Sequence, residues 1–368
     1  MRDKKTIIYL LIISMFLLSM MALLASAEMP GNVSAKSWAL YNPDTKSFLG
    51  GKNLNMQLPM ASTTKIITGL IAIENLNMQE VITVPREAVG VEGSSLYLSE
   101  GDRITVQDLV YSLLLQSAND AAEVLALRIS GSIDEFAELM NSRAAEIGAT
   151  DTHFENPHGL DDDDHYTTAH DLALITATAL ENDIFAKICS TYKYTFSIGE
   201  KSRTVVNHNK LLKKYNGCNG VKTGFTKKCG RCLVSSAKRD GITLVAVTLS
   251  APNDWNDHTK ILDNGFDRLE AIEISELAEI PSELSVILGN KERIKIGVSE
   301  EDRYFVKYKE NSVLSTDVKL LPYLTKSTKS GDAVGKISIT TETSVKEIDI
   351  IALEDVKVQK HAKSFWQK

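Results

Sequence analysis

Leu58-Pro59-Met60-Ala61-Ser62-Thr63-Thr64-Lys65, continuing into Ile66-Ile67-Thr68-Gly69-Leu70-Ile71-Ala72-Ile73, is the stretch around which the chain is organised. Pro59 needs no amide partner and has its φ preset near the helical value, so it suits the opening of a helix. The apolar run after Lys65 is dense enough for a helix buried around most of its circumference. Ser62 and Lys65 stand three apart, which puts them on one helical face within reach of each other. A serine hydroxyl is a poor nucleophile until a neighbouring base takes its proton, and a lysine desolvated by such a helix can be that base. Ser-x-x-Lys alone is also what an ordinary helix start with a solvated lysine looks like. The remainder of the chain has to supply partners.

With 368 residues there is room for two domains with cores of their own. Arg2, Lys4 and Lys5 precede an apolar run from Ile7 to Leu24, and Ala25-Ser26-Ala27 is a small-residue cleavage site before Glu28. Residues 1–27 therefore read as a signal peptide, with an uncleaved anchor as the competing reading; either way the rest of the chain is exported. Loss of that segment removes Arg2, Lys4, Lys5 and Asp3 and moves the formal charge from −7 to −9. A mildly acidic chain without a basic stripe is a poor match for nucleic acid. The four cysteines, Cys189, Cys218, Cys229 and Cys232, leave open a Cys218–Cys229 or a Cys229–Cys232 disulfide. The lone Cys229–Cys232 spacing has no second ligand pair for zinc.

Ser37-Trp38-Ala39-Leu40-Tyr41 and Lys46-Ser47-Phe48-Leu49 flank a turn and read as a hairpin. Val81–Val84 is a short strand, and Thr105 with Asp108 opens a helix that leads into Leu109, Val110, Leu113, Leu114 and Leu115. Helical patterns follow over Asp120–Ile129 and Ile133–Ile147. Residues 151–170 break the periodicity; Asp161 to Asp164 lack the alternation of a calcium loop and read as a solvated surface loop. His153, His158, His165 and His170 lie around it without ligand spacing and read as structural. Thr168 and Asp171 cap another helix, strands take over between Thr191 and Leu249, with a hairpin signal at Arg239-Asp240-Gly241, and Asp257–Leu269 closes the block as a helix. The expected class is α+β, an antiparallel sheet flanked by helices. After Ala271 helical signals nearly vanish, and strand alternation at Ile294–Val298, Tyr304–Tyr308 and Ile348–Ala352 marks a small all-β domain. The expected organisation is a leader over 1–27, a first domain over 28–271, a β-rich domain over 272–356, and a basic tail over 357–368. That tail, with Phe365 and Trp366 among its lysines, reads either as a short amphipathic anchor on an anionic membrane surface or as a frayed end.

Two further stretches give Ser62 its partners. Leu115-Gln116-Ser117-Ala118-Asn119-Asp120 ends an apolar helical pattern, and Gly220-Val221-Lys222-Thr223-Gly224-Phe225-Thr226 runs into the strand hairpin. Ser-x-x-Lys, Ser-x-Asn and Lys-Thr-Gly, in that order and widely spaced, form the active-site set of penicillin-interacting serine acyltransferases. Together with Pro157-His158-Gly159-Leu160 and His165-Tyr166-Thr167-Thr168, the wording resembles the low-molecular-weight penicillin-binding proteins that act as D-alanyl-D-alanine carboxypeptidases. The resemblance covers residues 36–270 closely, and the module after Ala271 matches that family's second domain in placement and size.

The resemblance implies a β-lactamase/transpeptidase-like fold and a substrate that is a peptidoglycan stem peptide ending in D-Ala-D-Ala, with β-lactams as acylating ligands and no cofactor or metal. It implies Ser62 as nucleophile, Lys65 as acceptor of its proton and Ser117 as relay to the leaving amine. Asn119 would hold the substrate backbone and Lys65, while Lys222 and Thr223 would receive the terminal carboxylate. Gly224 would keep the strand face low for substrate, and the amides of Ser62 and Phe225 would form the oxyanion hole. Lys227, Lys228 and Arg231 either add positive potential there or are ordinary solvated cations. Two departures stand out: some relatives carry a carboxylate-binding arginine where this chain has Asp254, and the C-terminal anchor is usually longer. The rival readings are a serine β-lactamase, a D,D-endopeptidase and a non-catalytic wall-binding protein of the same fold. Against the first, this chain shows no convincing motif between Asn119 and Lys222 for the glutamate that holds the deacylating water of class A enzymes.

Overall fold

The computed structural model describes residues 32–300 and 302–358; the expected leader and all but the first two residues of the expected tail lie outside them. Among the described residues no helix is long and apolar enough to cross a membrane. Contacts divide the chain into two compact units, the first running to Arg239 and resuming over Thr243–Asp267, the second comprising Asp240–Ile242 and the chain from Arg268.

The first unit is built on a five-stranded sheet in the order Ser47–Lys52, Ser37–Asn42, Ile242–Leu249, Gly230–Arg239, Cys218–Thr226. The N-terminal hairpin forms where the Asn42–Thr45 turn signal places it; Asn42 Oδ1 accepts from Thr45 N at 2.6 Å and from Thr45 Oγ1 at 2.7 Å. Asp240 and Gly241 both have positive φ, 48° and 81°, the geometry of a two-residue hairpin turn that matches strand twist. The strand carrying Lys222, Thr223 and Gly224 is left at the sheet edge, where a second extended chain has room to lie beside it.

Strand alternation sorts the two faces of this sheet. Ala39, Tyr41, Val221, Val234, Val245 and Val247 join the main core, which is centred on the helix Lys65–Asn75. Every residue of that helix from Lys65 to Ile73 is buried, as the apolar run requires. The helices Asn119–Ser130, Ile133–Ile147 and Ala169–Leu180 pack around it. Thr105 and Thr168 accept from the amides of Asp108 and Asp171, so both expected caps are made. On the opposite face lies the closing helix, Asp254–Arg268, three residues longer at its start than its periodicity suggests. Gly265 lets it sit against Leu40 and Leu244, whose side chains would meet any Cβ there at 2.8 and 2.7 Å.

One expected helix does not continue as read. The helix Val106–Tyr111 loosens into a wider turn over Ser112–Gln116 before reaching Ser117. Ser112 Oγ donates to the Asp108 carbonyl at 2.7 Å, a bond that competes with the regular ladder. The extra residue in the turn delivers Ser117 in a left-handed conformation, φ 65°.

In the second unit a five-stranded sheet runs Glu283–Ser285, Arg293–Gly297, Val345–Ala352, Ala333–Thr341, Val313–Leu320, beside a separate pair, Leu269–Glu273 with Tyr304–Tyr308. Ile294, Ile296, Ile337, Ile339, Ile348 and Ile350 point alternately into its core. Among the described residues of this unit one helical turn, Ile274–Leu277, interrupts the β pattern.

His258 on the closing helix is fully buried between two strands, bonded through Nδ1 to Ser235 and through Nε2 to Thr248. Burial pushes its pKa down to about 3. A histidine neutral when folded stabilises the fold fully above the unfolded pKa of about 6.5 and loses that contribution as pH falls toward 3, at about 1.4 kcal/mol per unit. Urea unfolding between pH 7 and 4 should therefore show a falling midpoint, and His258→Asn should flatten that slope while lowering stability at pH 7.

Candidate active site

Ser62 sits in a single 3-10 turn, Ala61–Thr64, that runs directly into the helix beginning at Lys65. Ala61 takes a positive φ of 47°, an unfavourable conformation for a residue with a Cβ, so the turn is held by its surroundings. Three contacts hold it. Thr64 Oγ1 donates to the Ala61 carbonyl at 2.8 Å and accepts from His165 Nε2 at 2.8 Å. Glu155 N donates to His165 Nδ1, which fixes that ring as the Nε2–H tautomer, and burial drives its pKa down to about 3, so it stays neutral. Gly159, φ 85°, lies so close that a Cβ would come within 2.0 Å of the Ala61 oxygen.

Lys65 is fully buried, and its Nζ lies 3.0 Å from Ser62 Oγ, 2.7 Å from Asn119 Oδ1 and 2.6 Å from the His158 carbonyl. No carboxylate is among these partners. Burial first, then the charge of Lys222, holds its pKa well below the ordinary 10.5, with Asp120 pulling the other way. A neutral amine satisfies this geometry in one way: two N–H groups donate to Asn119 and His158, and the lone pair faces the Ser62 hydroxyl. The orientation of Asn119 is fixed on its other side by Nδ2 donating to the Glu92 carbonyl at 2.5 Å.

Sequence reasoning missed the His158 carbonyl, because a backbone acceptor leaves no residue-type signal. Its placement depends on the histidine side chain. His158 Nδ1 accepts from Leu160 N at 3.2 Å and Nε2 donates to Glu123 Oε1 at 3.1 Å, while Thr68 Oγ1 donates to the Pro157 carbonyl at 2.7 Å. Two of the four histidines read as structural, His158 and His165, thus frame the site. Asp120 was likewise passed over. Its buried carboxylate accepts from Ser95 Oγ and the amides of Leu96 and Leu98, folding the 94–98 segment against the start of its helix.

Ser117 is buried, and its Oγ has no hydrogen-bond partner among the described residues. Such a group costs about 1–3 kcal/mol unless something at the site uses it. Lys222 is 1% exposed; among the described residues its Nζ donates only to the Thr223 carbonyl, at 3.0 Å, and burial lowers its pKa to about 7. Ser62, Ser117, Thr223, Gly224 and Phe225 line one cavity of about 700 Å³.

Gly224 serves a purpose beyond the one read from sequence. A Cβ there would meet the Met60 carbonyl at 3.0 Å, Ala61 Cβ at 3.2 Å and Ser62 N at 3.2 Å, so the clearance belongs to the nucleophile turn. The acidic loop is exposed as expected, yet it also clasps the strand end: Thr226 Oγ1 donates to Asp161 at 2.7 Å and Lys228 pairs with Asp163 at 2.5 Å. Asp254, which the resemblance sets at the place of an arginine in some relatives, is itself buried and holds Arg231 at 2.8 Å, with the guanidinium 5.7 Å from the Trp255 ring centre. Arg231 pairs in register with Phe225 and lines the same cavity, so a cation is present on the neighbouring strand instead. All four cysteines are free thiols. A hydrogen bond with Cys232 draws the Cys229 pKa down to about 6 and pushes that of Cys232 up.

Comparison with known proteins agrees with this geometry. A family model described as D-alanyl-D-alanine carboxypeptidase matches residues 24–253, and one described as the penicillin-binding protein 5 C-terminal domain matches 272–358. The chain is 32% identical to D-alanyl-D-alanine carboxypeptidase DacF of Bacillus subtilis over 334 residues, 88% of this chain and 86% of that one. It is 30% identical to DacC of Escherichia coli over 343 residues, 89% and 85% of the two chains. Among solved structures, penicillin binding protein 5 from Haemophilus influenzae superposes with a TM-score of 0.66 at 26% identity, covering 89% of this chain and 99% of that one. The Streptomyces K15 DD-transpeptidase gives a TM-score of 0.61 at 31% identity, covering 64% and 98%.

Gly159→Ala should displace the Ala61 carbonyl and with it Ser62. The expected result is a loss of about 1–3 kcal/mol of stability and about a hundredfold slower acylation by a labelled β-lactam. Unchanged acylation kinetics would show that the Ala61 contact does not set the position of Ser62.

Proposed function

The chain belongs to the D-alanyl-D-alanine carboxypeptidase family, and on that premise we propose the roles of the residues lining its cavity. It is a serine-type D-Ala-D-Ala carboxypeptidase, and acylation by β-lactams is general to the family. Ser62 Oγ attacks the carbonyl carbon between the two terminal D-alanines, and its proton passes to Lys65 Nζ as the O–C bond forms. The C–N bond then breaks, and the leaving amine takes a proton through Ser117, whose hydroxyl is otherwise unpaired. Water occupies the place of the departed amine and bonds to the acyl carbon as its proton passes to Lys65 Nζ, and Lys65 returns that proton to Ser62 Oγ as the ester C–O bond breaks. The observation that carries the reading is Lys65, buried 3.0 Å from Ser62 Oγ with two fixed acceptors and no carboxylate.

Lys222 and Thr223 receive the terminal carboxylate, Lys222 by charge and Thr223 by its hydroxyl, with Arg231 as a further cation on the adjacent strand. Asn119 holds Lys65 and faces the substrate backbone, and the amides of Ser62 and Phe225 bind the developing oxyanion. We read residues 1–27 as a removed leader, 28–271 as the peptidase domain and 272–356 as the β domain. On this reading the enzyme acts on peptidoglycan outside the cytoplasmic membrane, with the tail from 357 resting on the membrane surface.

Burial lowers the pKa of both lysines, and Lys65 also feels the repulsion of Lys222, opposed in part by Asp120; on this reading Lys65 works as the amine and Lys222 as the ammonium. The rate should fall at acid pH as Lys65 becomes charged and fall at alkaline pH as Lys222 loses the charge that holds the carboxylate. The profile of kcat/KM for D-alanine release is therefore a bell with an alkaline limb near 7 in the free enzyme. Lys222→Arg keeps its charge to far higher pH, so that limb should disappear even if the maximum falls. Ser62→Ala should abolish both the covalent penicillin adduct and D-alanine release; an adduct on that variant would refute the assignment of Ser62.

A further inference from the structure

The cavity that holds Ser62 carries more positive charge than one terminal carboxylate requires. Besides Arg231 it is lined by Lys210, Lys213 and Lys214, and the one acid that lines it among the described residues, Asp254, is buried and committed to Arg231. Among the described residues neither Lys210 nor Lys214 has a side-chain partner, and Lys213 sits 3.6 Å above the Tyr192 ring. This surplus stands in a chain of formal charge −7. The other end of the strand is different: there Lys228 is matched by Asp163.

The lysines are presented by a fixed platform. Asn207 Nδ2 donates to the Cys189 and Thr191 carbonyls at 3.0 and 3.2 Å, and its Oδ1 accepts from Asn209 N at 2.9 Å. Asn209 Nδ2 donates to the Gly220 carbonyl at 2.7 Å, two residues before Lys222, and its Oδ1 caps Leu211 N at 3.0 Å, opening the turn Leu211–Lys214. His208 N donates to the Leu115 carbonyl at 3.1 Å, two residues before Ser117. The lysine turn is thereby bolted to the ends of both elements that carry Lys222 and Ser117. That is the end of the cleft where the terminal carboxylate and the leaving amine lie in the proposed mechanism. His208 adds no charge, because burial and Lys222 hold its pKa down.

We propose that Lys210, Lys213 and Lys214 form an anion subsite on the departing side of the scissile bond, taking a second carboxylate carried by the leaving group. The inference rests on the carboxypeptidase reading for the direction in which substrate lies. It extends the activity from release of D-alanine to release of a terminal D-residue that carries an additional acid group. A concave wall of one sign focuses potential and favours such a group by about tenfold or more at low salt.

The test uses three acylated peptides that differ only in the last residue, ending in D-Ala-D-Ala, D-Ala-D-Glu and D-Ala-D-Gln. D-Glu and D-Gln match in shape, so their kcat/KM ratio isolates the second charge. Wild type should release D-Glu about tenfold faster than D-Gln, with the ratio shrinking as salt rises. In Lys210→Gln/Lys213→Gln/Lys214→Gln the ratio should fall to near one, with thermal unfolding confirming that the variant is folded. A wild-type ratio at or below one, or a ratio kept in the variant, overturns the subsite. Failure to release D-alanine from the D-Ala-D-Ala peptide would instead overturn the carboxypeptidase reading on which it rests.

Discussion

Everything at this site depends on a lysine buried, among the described residues, without a carboxylate partner. Lys65 is enclosed by the core, and the oxygens around its Nζ belong to an amide, a peptide carbonyl and a hydroxyl. Placing an ammonium there would cost several kcal/mol in desolvation, and those neutral dipoles return only part of it. The fold resolves the conflict by favouring the amine over the ammonium, and the amine is the form that can accept a proton from Ser62. The core that stabilises the first unit is therefore also the source of the base. A carboxylate beside Lys65 would have relieved the burial and removed the chemistry.

A base of this kind works only if its acceptors stay in place, and much of the surrounding structure serves that purpose. Asn119 is held from behind by the Glu92 carbonyl, and the His158 carbonyl by the ring's bonds to Leu160 and Glu123. Glycines at 159 and 224 admit the strained nucleophile turn from two sides, since a side chain at either place would push it out. Ser117 reaches the cavity because the helix before it widens by a residue. The strained turn, its two glycines and the widened helix cost some local stability, and each lies where the cavity needs a particular atom at a particular point.

Much of this could be read from the residues. The apolar run from Ile66 to Ile73 announced a buried helix, and the spacing of Ser62 and Lys65 announced their contact. Asp-Gly at 240–241 announced its hairpin turn, and the alternating isoleucines after residue 290 announced a separate sheet. Three separated triplets were enough to name the family, since side-chain chemistry in fixed order is a one-dimensional signal. The widened turn before Ser117 was not legible, because the Ser112 bond to Asp108 that competes with the helix uses an ordinary residue in an ordinary position. Arg231 gave no clear signal either; its tie to Asp254 spans two elements that only the folded sheet brings together.

The sequence by itself determined which atoms could do chemistry: a hydroxyl, two amines, a second hydroxyl, and an amide to orient them. It also determined the helix and the strand that carry them, because burial patterns and turn residues act locally. The tertiary structure alone decided their states. Whether Lys65 is neutral depends on how much water the packed core removes and on how near Lys222 stands. Whether Gly224 serves substrate or the nucleophile turn depends on which backbone crosses it. Both are sums over neighbours distant in the chain, and no stretch of sequence contains them.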